Sequence, residues 1–126
     1  MVKSVLVVDD NAFVRKALCE LFMREENFGV CGQAKDGQEA IAKALELHPD
    51  LVVTDLSMPV MNGLDEARLL KRLLPDVPVI LYTAHSSQAV EKEARLAGAS
   101  AVISKSEQPA AALIVTARSF FDHIAA

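Results

Sequence analysis

The sequence predicts an α/β domain built on a doubly wound, five-stranded parallel sheet with five helices. Short apolar runs alternate with stretches of helical periodicity along all 126 residues, the pattern of successive βαβ units. Gly, Pro and Asn-Gly punctuation separates the runs, at Asp36-Gly37, Pro49, Asn62-Gly63, Pro75 and Gly98. Right-handed crossovers then leave few topologies, and the order 2-1-3-4-5 is the one expected.

The elements follow in turn. Ser4 to Asp9 reads as the first strand. A helix from Asn11 carries two apolar sets at helical spacing, Phe13, Ala17, Leu21 and Val14, Leu18, Phe22. Gly29 to Ala34 reads as a short second strand, followed by a helix from Glu39 to Leu47 that stops before Pro49. The third strand is Leu51 to Asp55, and a loop from Leu56 to Gly63 leads to a helix from Leu64 to Leu74. Val79 to Thr83 forms the fourth strand, and the helix after it spans about Ser86 to Leu96, before Gly98. Ala101 to Ser104 is the fifth strand. The last helix is expected from about Glu107 to Ile124, with Leu113, Ala117, Phe120 and Ile124 on one face and Ile114 and Phe121 beside them. Arg118, Ser119 and Asp122 lie opposite, so this is an ordinary core-facing amphipathic helix and no sign of an interface.

Composition narrows the function. A chain of this length is one domain that buries about two-thirds of its unfolded surface, and 52% hydrophobic with 24% charged residues is ordinary for a globular protein. The net charge of −4 argues against a nucleic-acid surface, which needs a basic patch. Cys19 and Cys31 lack metal-ligand spacing and read as free buried thiols of a reducing compartment. The first apolar run is too short for a signal peptide or a membrane span, so a cytoplasmic protein is expected.

The chemistry lies at the strand ends. Ligands of open parallel sheets bind outside the carboxyl ends of the strands, where strand order reverses. In the order 2-1-3-4-5 the first and third strands are neighbours there, which brings Asp9, Asp10 and Asp55 together. Three packed carboxylates repel unless a cation compensates, and a hard, oxygen-binding ion such as Mg²⁺ suits them. Asp10 also stands where it would cap the following helix, and residue by residue that plainer reading stays open. Thr83 and Lys105 end the fourth and fifth strands at the same edge. A carboxylate can attack phosphorus to form an aspartyl-phosphate, with Mg²⁺, the Lys105 ammonium and the Thr83 hydroxyl each taking a phosphoryl oxygen.

Val7-Val8-Asp9-Asp10-Asn11, Asp50 to Asp55, Met58-Pro59-Val60-Met61-Asn62-Gly63, Tyr82-Thr83-Ala84 and Gly98-Ala99 leading to Lys105 together resemble the receiver domains of bacterial two-component response regulators, over essentially the whole chain. The resemblance implies a flavodoxin-like receiver domain over 1–126 with no output domain present, and Asp55 as phosphoacceptor. It implies a Mg²⁺ site of Asp9, Asp10, Asp55 and the Ser57 main-chain carbonyl, with Asp10 a direct ligand and Asp9 acting through water. Thr83 matches the switch hydroxyl and Lys105 the lysine that pairs with the phosphoryl group. His85 and Ser57 stand where the family tunes dephosphorylation, whereas His48 and His123 take no role. The implied partners are a sensor histidine kinase or phosphotransfer protein and a second copy across the helix 4–strand 5–helix 5 face, with neither nucleic acid nor membrane contacted. Asp-Leu-Ser-Met-Pro and the absence of Pro after Lys105 resemble regulators with LuxR-type output domains.

Two positions depart from the family. Val102 replaces the usual Tyr or Phe three residues before the lysine, and Ser106 replaces the common Pro after it. The expected activity is therefore Mg²⁺-dependent transfer of a phosphoryl group to Asp55, which alters partner binding; the protein is no enzyme beyond its own phosphorylation and dephosphorylation. The alternative is a receiver-fold interaction module that signals without phosphorylation. A phosphatase of the aspartate-nucleophile type needs an acid where Ser57 stands, and an FMN carrier needs a phosphate loop where Asp9-Asp10-Asn11-Ala12 is acidic.

Overall fold

The computed structural model describes residues 2–84 and 86–121. His85, Asp122, His123 and Ile124, and the readings made on them, lie outside the described residues. The chain alternates β1 (Lys3–Val8), α1 (Ala12–Met23), β2 (Phe28–Ala34), α2 (Gly37–Leu47), β3 (Leu51–Thr54), α3 (Gly63–Leu73), β4 (Val79–Thr83), α4 (Gln88–Ala97), β5 (Ala101–Ser104) and α5 (Ala110–Ser119). The strands form one parallel sheet in the order β2-β1-β3-β4-β5, as expected. No helix among the described residues is long and apolar enough to cross a membrane.

Strand periodicity divides the core into two layers, because alternate side chains point to opposite faces. Val5, Val7, Val53, Ile80, Tyr82 and Ile103 cluster with Leu18 and Phe22 of α1 and Leu113 and Ala117 of α5. Leu6, Val8, Val52 and Val79 cluster with Ala40 and Ala44 of α2 and Ala67 and Leu70 of α3. Sheet residues such as Leu6, Val52 and Leu81 are fully buried, as strands covered on both faces require.

Several boundaries differ from expectation, each for a local reason. In α1 the Val14-Leu18-Phe22 set and Cys19 pack inward, which turns Phe13 and Ala17 to solvent; Phe13 is 87% exposed. Its N-cap is Asn11, whose side chain accepts from the Phe13 and Val14 amides at 2.9 and 3.2 Å, so Asp10 is not spent on capping. α2 begins at Gly37 because Asp36 caps it, accepting from the Glu39 amide at 2.8 Å. Ser87 does the same for α4. α5 begins three residues later than Glu107. Glu107 and Gln108 are used in a turn around Ser104, with the Glu107 amide on Ser104 Oγ and the Gln108 side chain accepting from the Ser104 amide. Pro109 also disfavours helical backbone at Gln108.

One residue contradicts the apolar character of the second core layer. Glu66 lies on the inward stripe of α3 with Gly63, Ala67 and Leu70, and it is fully buried. Its Oε1 is hydrogen-bonded to the Thr54 hydroxyl at 2.7 Å, and its Oε2 has no hydrogen-bond partner among the described residues. Burial, with a smaller push from Asp36, raises its carboxyl from the ordinary 4.5 to about 8, against the opposing Thr54 hydrogen bond. A folded-state value above the unfolded one means that the native state holds a proton which the unfolded chain has already released. Stability is therefore fully present below pH 4.5 and is lost as pH rises through about 8. Urea unfolding between pH 5 and 9 is expected to show a decline of several kcal/mol, roughly 3–5. Glu66→Gln is expected to remove most of that slope.

Candidate functional site

The site is set by two adjacent parallel strands. β1 and β3 pair with Val8 opposite Thr54, so the residues that follow them, Asp9 and Asp55, emerge side by side. The Asp55 amide donates to the Val8 carbonyl at 3.0 Å and the Asp9 amide to the Ala34 carbonyl at 3.1 Å, fixing both main chains as the strands end. One carboxylate oxygen from each of Asp9, Asp10 and Asp55 lies within 4.8 Å of the others. The triad thus forms as expected. Its members differ in environment: Asp9 is buried, Asp55 is half-buried and Asp10 is exposed.

Lys105, the residue after β5, supplies an opposing charge. Its Nζ lies 2.8 Å from Asp9 Oδ2 and 3.6 Å from Asp55 Oδ2. Its amide donates to the Thr83 carbonyl at 2.9 Å, tying the ends of β4 and β5. Thr83 is fully buried and pairs with Ser104 across the sheet, which places it at the same edge. Ser57 lies exposed on the loop after β3.

Burial raises the Asp55 carboxyl above its ordinary range, and the Asp9 and Asp10 charges add to that; Lys105 and the Leu56 amide, which donates to Oδ1 at 2.8 Å, work against it. One ammonium facing three carboxylates leaves the cluster net negative, and an all-oxygen donor set of this kind fits a hard divalent cation. The residues present therefore fit Mg²⁺.

Three contributors escaped sequence reasoning. Tyr82 lies beneath Lys105, with the ring centroid 5.5 Å from Nζ, in cation–π range. Arg15 donates to the Asp9 carbonyl at 2.8 Å and to Gln33 Oε1 at 3.2 Å, bracing the acidic turn. Gly63 packs so closely on the Asp55 carbonyl oxygen that a β-carbon there would collide with it. The Asn62-Gly63 pair, read as a turn and as the end of the Met58–Gly63 motif, carried the signal for this approach. On the loop between Asp55 and Gly63, Val60 is 75% exposed with φ 67°, the left-handed region that a β-branched residue enters only under constraint.

Replacing Lys105 by Met removes the cation closest to the pair. In metal-free protein a carbon-detected NMR titration is expected to find the Asp55 carboxyl titrating at higher pH in the variant than in the wild type. An unchanged midpoint would mean that Lys105 does not balance Asp55.

The response regulator receiver domain family matches residues 5–116. The chemotaxis protein CheY of Thermotoga maritima is 40% identical over 109 residues, covering 86% of this chain and 90% of CheY. A LuxR-family two-component response regulator from Aurantimonas sp. SI85-9A1 superposes with a TM-score of 0.88 at 28% identity, over 95% of this chain and 86% of that one. CheY of Borrelia burgdorferi, in a complex with CheX, BeF₃ and Mg²⁺, superposes with a TM-score of 0.87 at 29% identity, over 94% and 89% of the two chains. LuxR-family regulators thus stand among the neighbours beside CheY. Protein-glutamate methylesterases are relatives too, but the chain spans less than a third of their length. The chain belongs to the response regulator receiver domain family.

Proposed function

We propose that this domain is the phosphoacceptor of a two-component phosphorelay. An Asp55 carboxylate oxygen attacks the phosphorus of a phosphohistidine on a sensor kinase or phosphotransfer protein. The new O–P bond forms as the P–N bond breaks, and the departing imidazole nitrogen keeps the electron pair. The observation that supports this best is the convergence of the Asp9, Asp10 and Asp55 carboxylates within 4.8 Å, with Lys105 in contact with two of them. Asp9, Asp10, Asp55 and the Ser57 carbonyl would hold Mg²⁺, which supplies positive charge for the phosphoryl oxygens. Lys105 is 3.6 Å from Asp55 Oδ2 and within reach of a group added there. The Thr83 hydroxyl donates to another phosphoryl oxygen.

Phosphorylation adds up to roughly two negative charges and three acceptor oxygens. Lys105 and Thr83 turn towards them and bias the segment after β4. The shift in population is no larger than the phosphoryl group's differential contact with the two states. The exposed apolar side chains Leu96 on α4 and Val115 on α5, 77% and 69% exposed, are in keeping with the α4–β5–α5 face as the surface that meets a second copy. We place the protein in the cytoplasm, with its phosphodonor.

Signalling without phosphorylation is the rival reading, favoured by Val102 at a position where an aromatic relay would otherwise stand. Incubation with acetyl phosphate and intact-protein mass spectrometry distinguishes the two. One Mg²⁺-dependent phosphoryl adduct is expected on the wild type and none on Asp55→Asn. The absence of both an adduct and beryllofluoride binding would favour the rival.

A further inference from the structure

Glu66 is buried in a layer otherwise built from Ala, Val and Leu, and the proposed chemistry does not use it. Its one polar partner among the described residues is informative. Thr54 precedes Asp55 in the chain, and its Oγ1 lies 2.7 Å from Glu66 Oε1 and 3.2 Å from the Asp55 main-chain oxygen. A hydroxyl has one proton to give. We infer that Glu66 is a positioning residue for phosphoryl transfer, acting through the Thr54 hydroxyl on the main chain of Asp55. The inference rests on Asp55 being the phosphoacceptor.

Proton bookkeeping gives the relay its direction. When Glu66 is neutral, its O–H donates to Thr54 Oγ1, and the Thr54 proton is left for the Asp55 carbonyl. The unpartnered Oε2 is then the carbonyl oxygen of an acid, which tolerates burial far better than an anionic oxygen does. When Glu66 is ionised it is an acceptor only. Thr54 must then turn its one proton to the carboxylate, and the Asp55 carbonyl loses it.

The surroundings favour the neutral form. The charged group acting on Glu66 from the facing elements is Asp36, at the start of α2, and it is an anion. β3 contributes the uncharged Thr54, and α3's own Asp65 is exposed and paired with Arg68. The carboxyl accordingly holds its proton to about pH 8. The carbonyl it serves is tightly confined, since Gly63 of the same helix packs against the Asp55 oxygen. A change in the Thr54 hydroxyl therefore reaches the main chain of the phosphoacceptor directly.

The test measures the rate of Asp55 phosphorylation by acetyl phosphate with Mg²⁺ from pH 6.5 to 9, for wild type, Glu66→Gln, Glu66→Leu and Thr54→Val. Circular dichroism follows the fold of each, and Asp55→Asn gives the background. Gln keeps a donor for Thr54 and cannot ionise, so near pH 7 its rate is expected within about twofold of wild type, whereas Leu and Val slow the reaction about fivefold or more. The ratio of wild-type to Glu66→Gln rates is expected to fall about threefold or more between pH 7 and 9, as the neutral fraction of Glu66 declines and the ionised form reacts at the slower rate of the Leu and Val variants. A ratio independent of pH overturns the relay, whether or not the Leu variant folds. So do folded Leu and Val variants that react at the wild-type rate. No adduct on wild-type protein would overturn the phosphoacceptor reading itself, and the relay with it.

Discussion

The pairing of β1 with β3 is the constraint on which the rest depends. Once Val8 lies opposite Thr54, Asp9 and Asp55 must leave the sheet side by side, and Asp10 follows one residue later. Carboxylates within 4.8 Å of one another are an electrostatic liability that the hydrophobic sheet beneath has to hold in place. Fully buried Val8, Val53 and Thr54 provide that rigidity. A site built on strand ends spends stability on geometry, and the apolar layers on both faces of the sheet supply it.

Lys105 offsets part of that liability. Its ammonium contacts Asp9 and approaches Asp55 from a strand two places away, while the Tyr82 ring lies against it and its own amide is tied to Thr83. The lysine thus links the acidic turn after β1 with the ends of β4 and β5. Its amide bond to Thr83 joins the ends of the two strands that precede α4 and α5.

Much of this was legible in the sequence because strand ends in a parallel sheet share one edge. Runs such as Leu51-Val52-Val53-Thr54-Asp55 reveal both the strand and the residue that leaves it. The crossover rule left few strand orders, and the acidic cluster followed from the one expected. Side-chain direction was less legible. Phe13-Ala17-Leu21 and Val14-Leu18-Phe22 have the same spacing, and only packing against the sheet buries Leu18 and Phe22 while leaving Phe13 and Ala17 in solvent. Glu66 stood on the Gly63-Ala67-Leu70 stripe in plain view, yet a charged residue reads as solvent-facing until Thr54 is found opposite it. The late start of α5 depends on the turn around Ser104, whose partner Gln108 no periodicity reveals.

The most direct measurement is a crystal structure of the protein with Mg²⁺ and beryllofluoride. The expected result is the beryllium on an Asp55 carboxylate oxygen, Mg²⁺ bound through Asp10, Asp55 and the Ser57 carbonyl, and Lys105 drawn from Asp9 towards a fluorine. A metal bound away from the three carboxylates, or a Lys105 still held only by Asp9 with beryllofluoride in place, would contradict it.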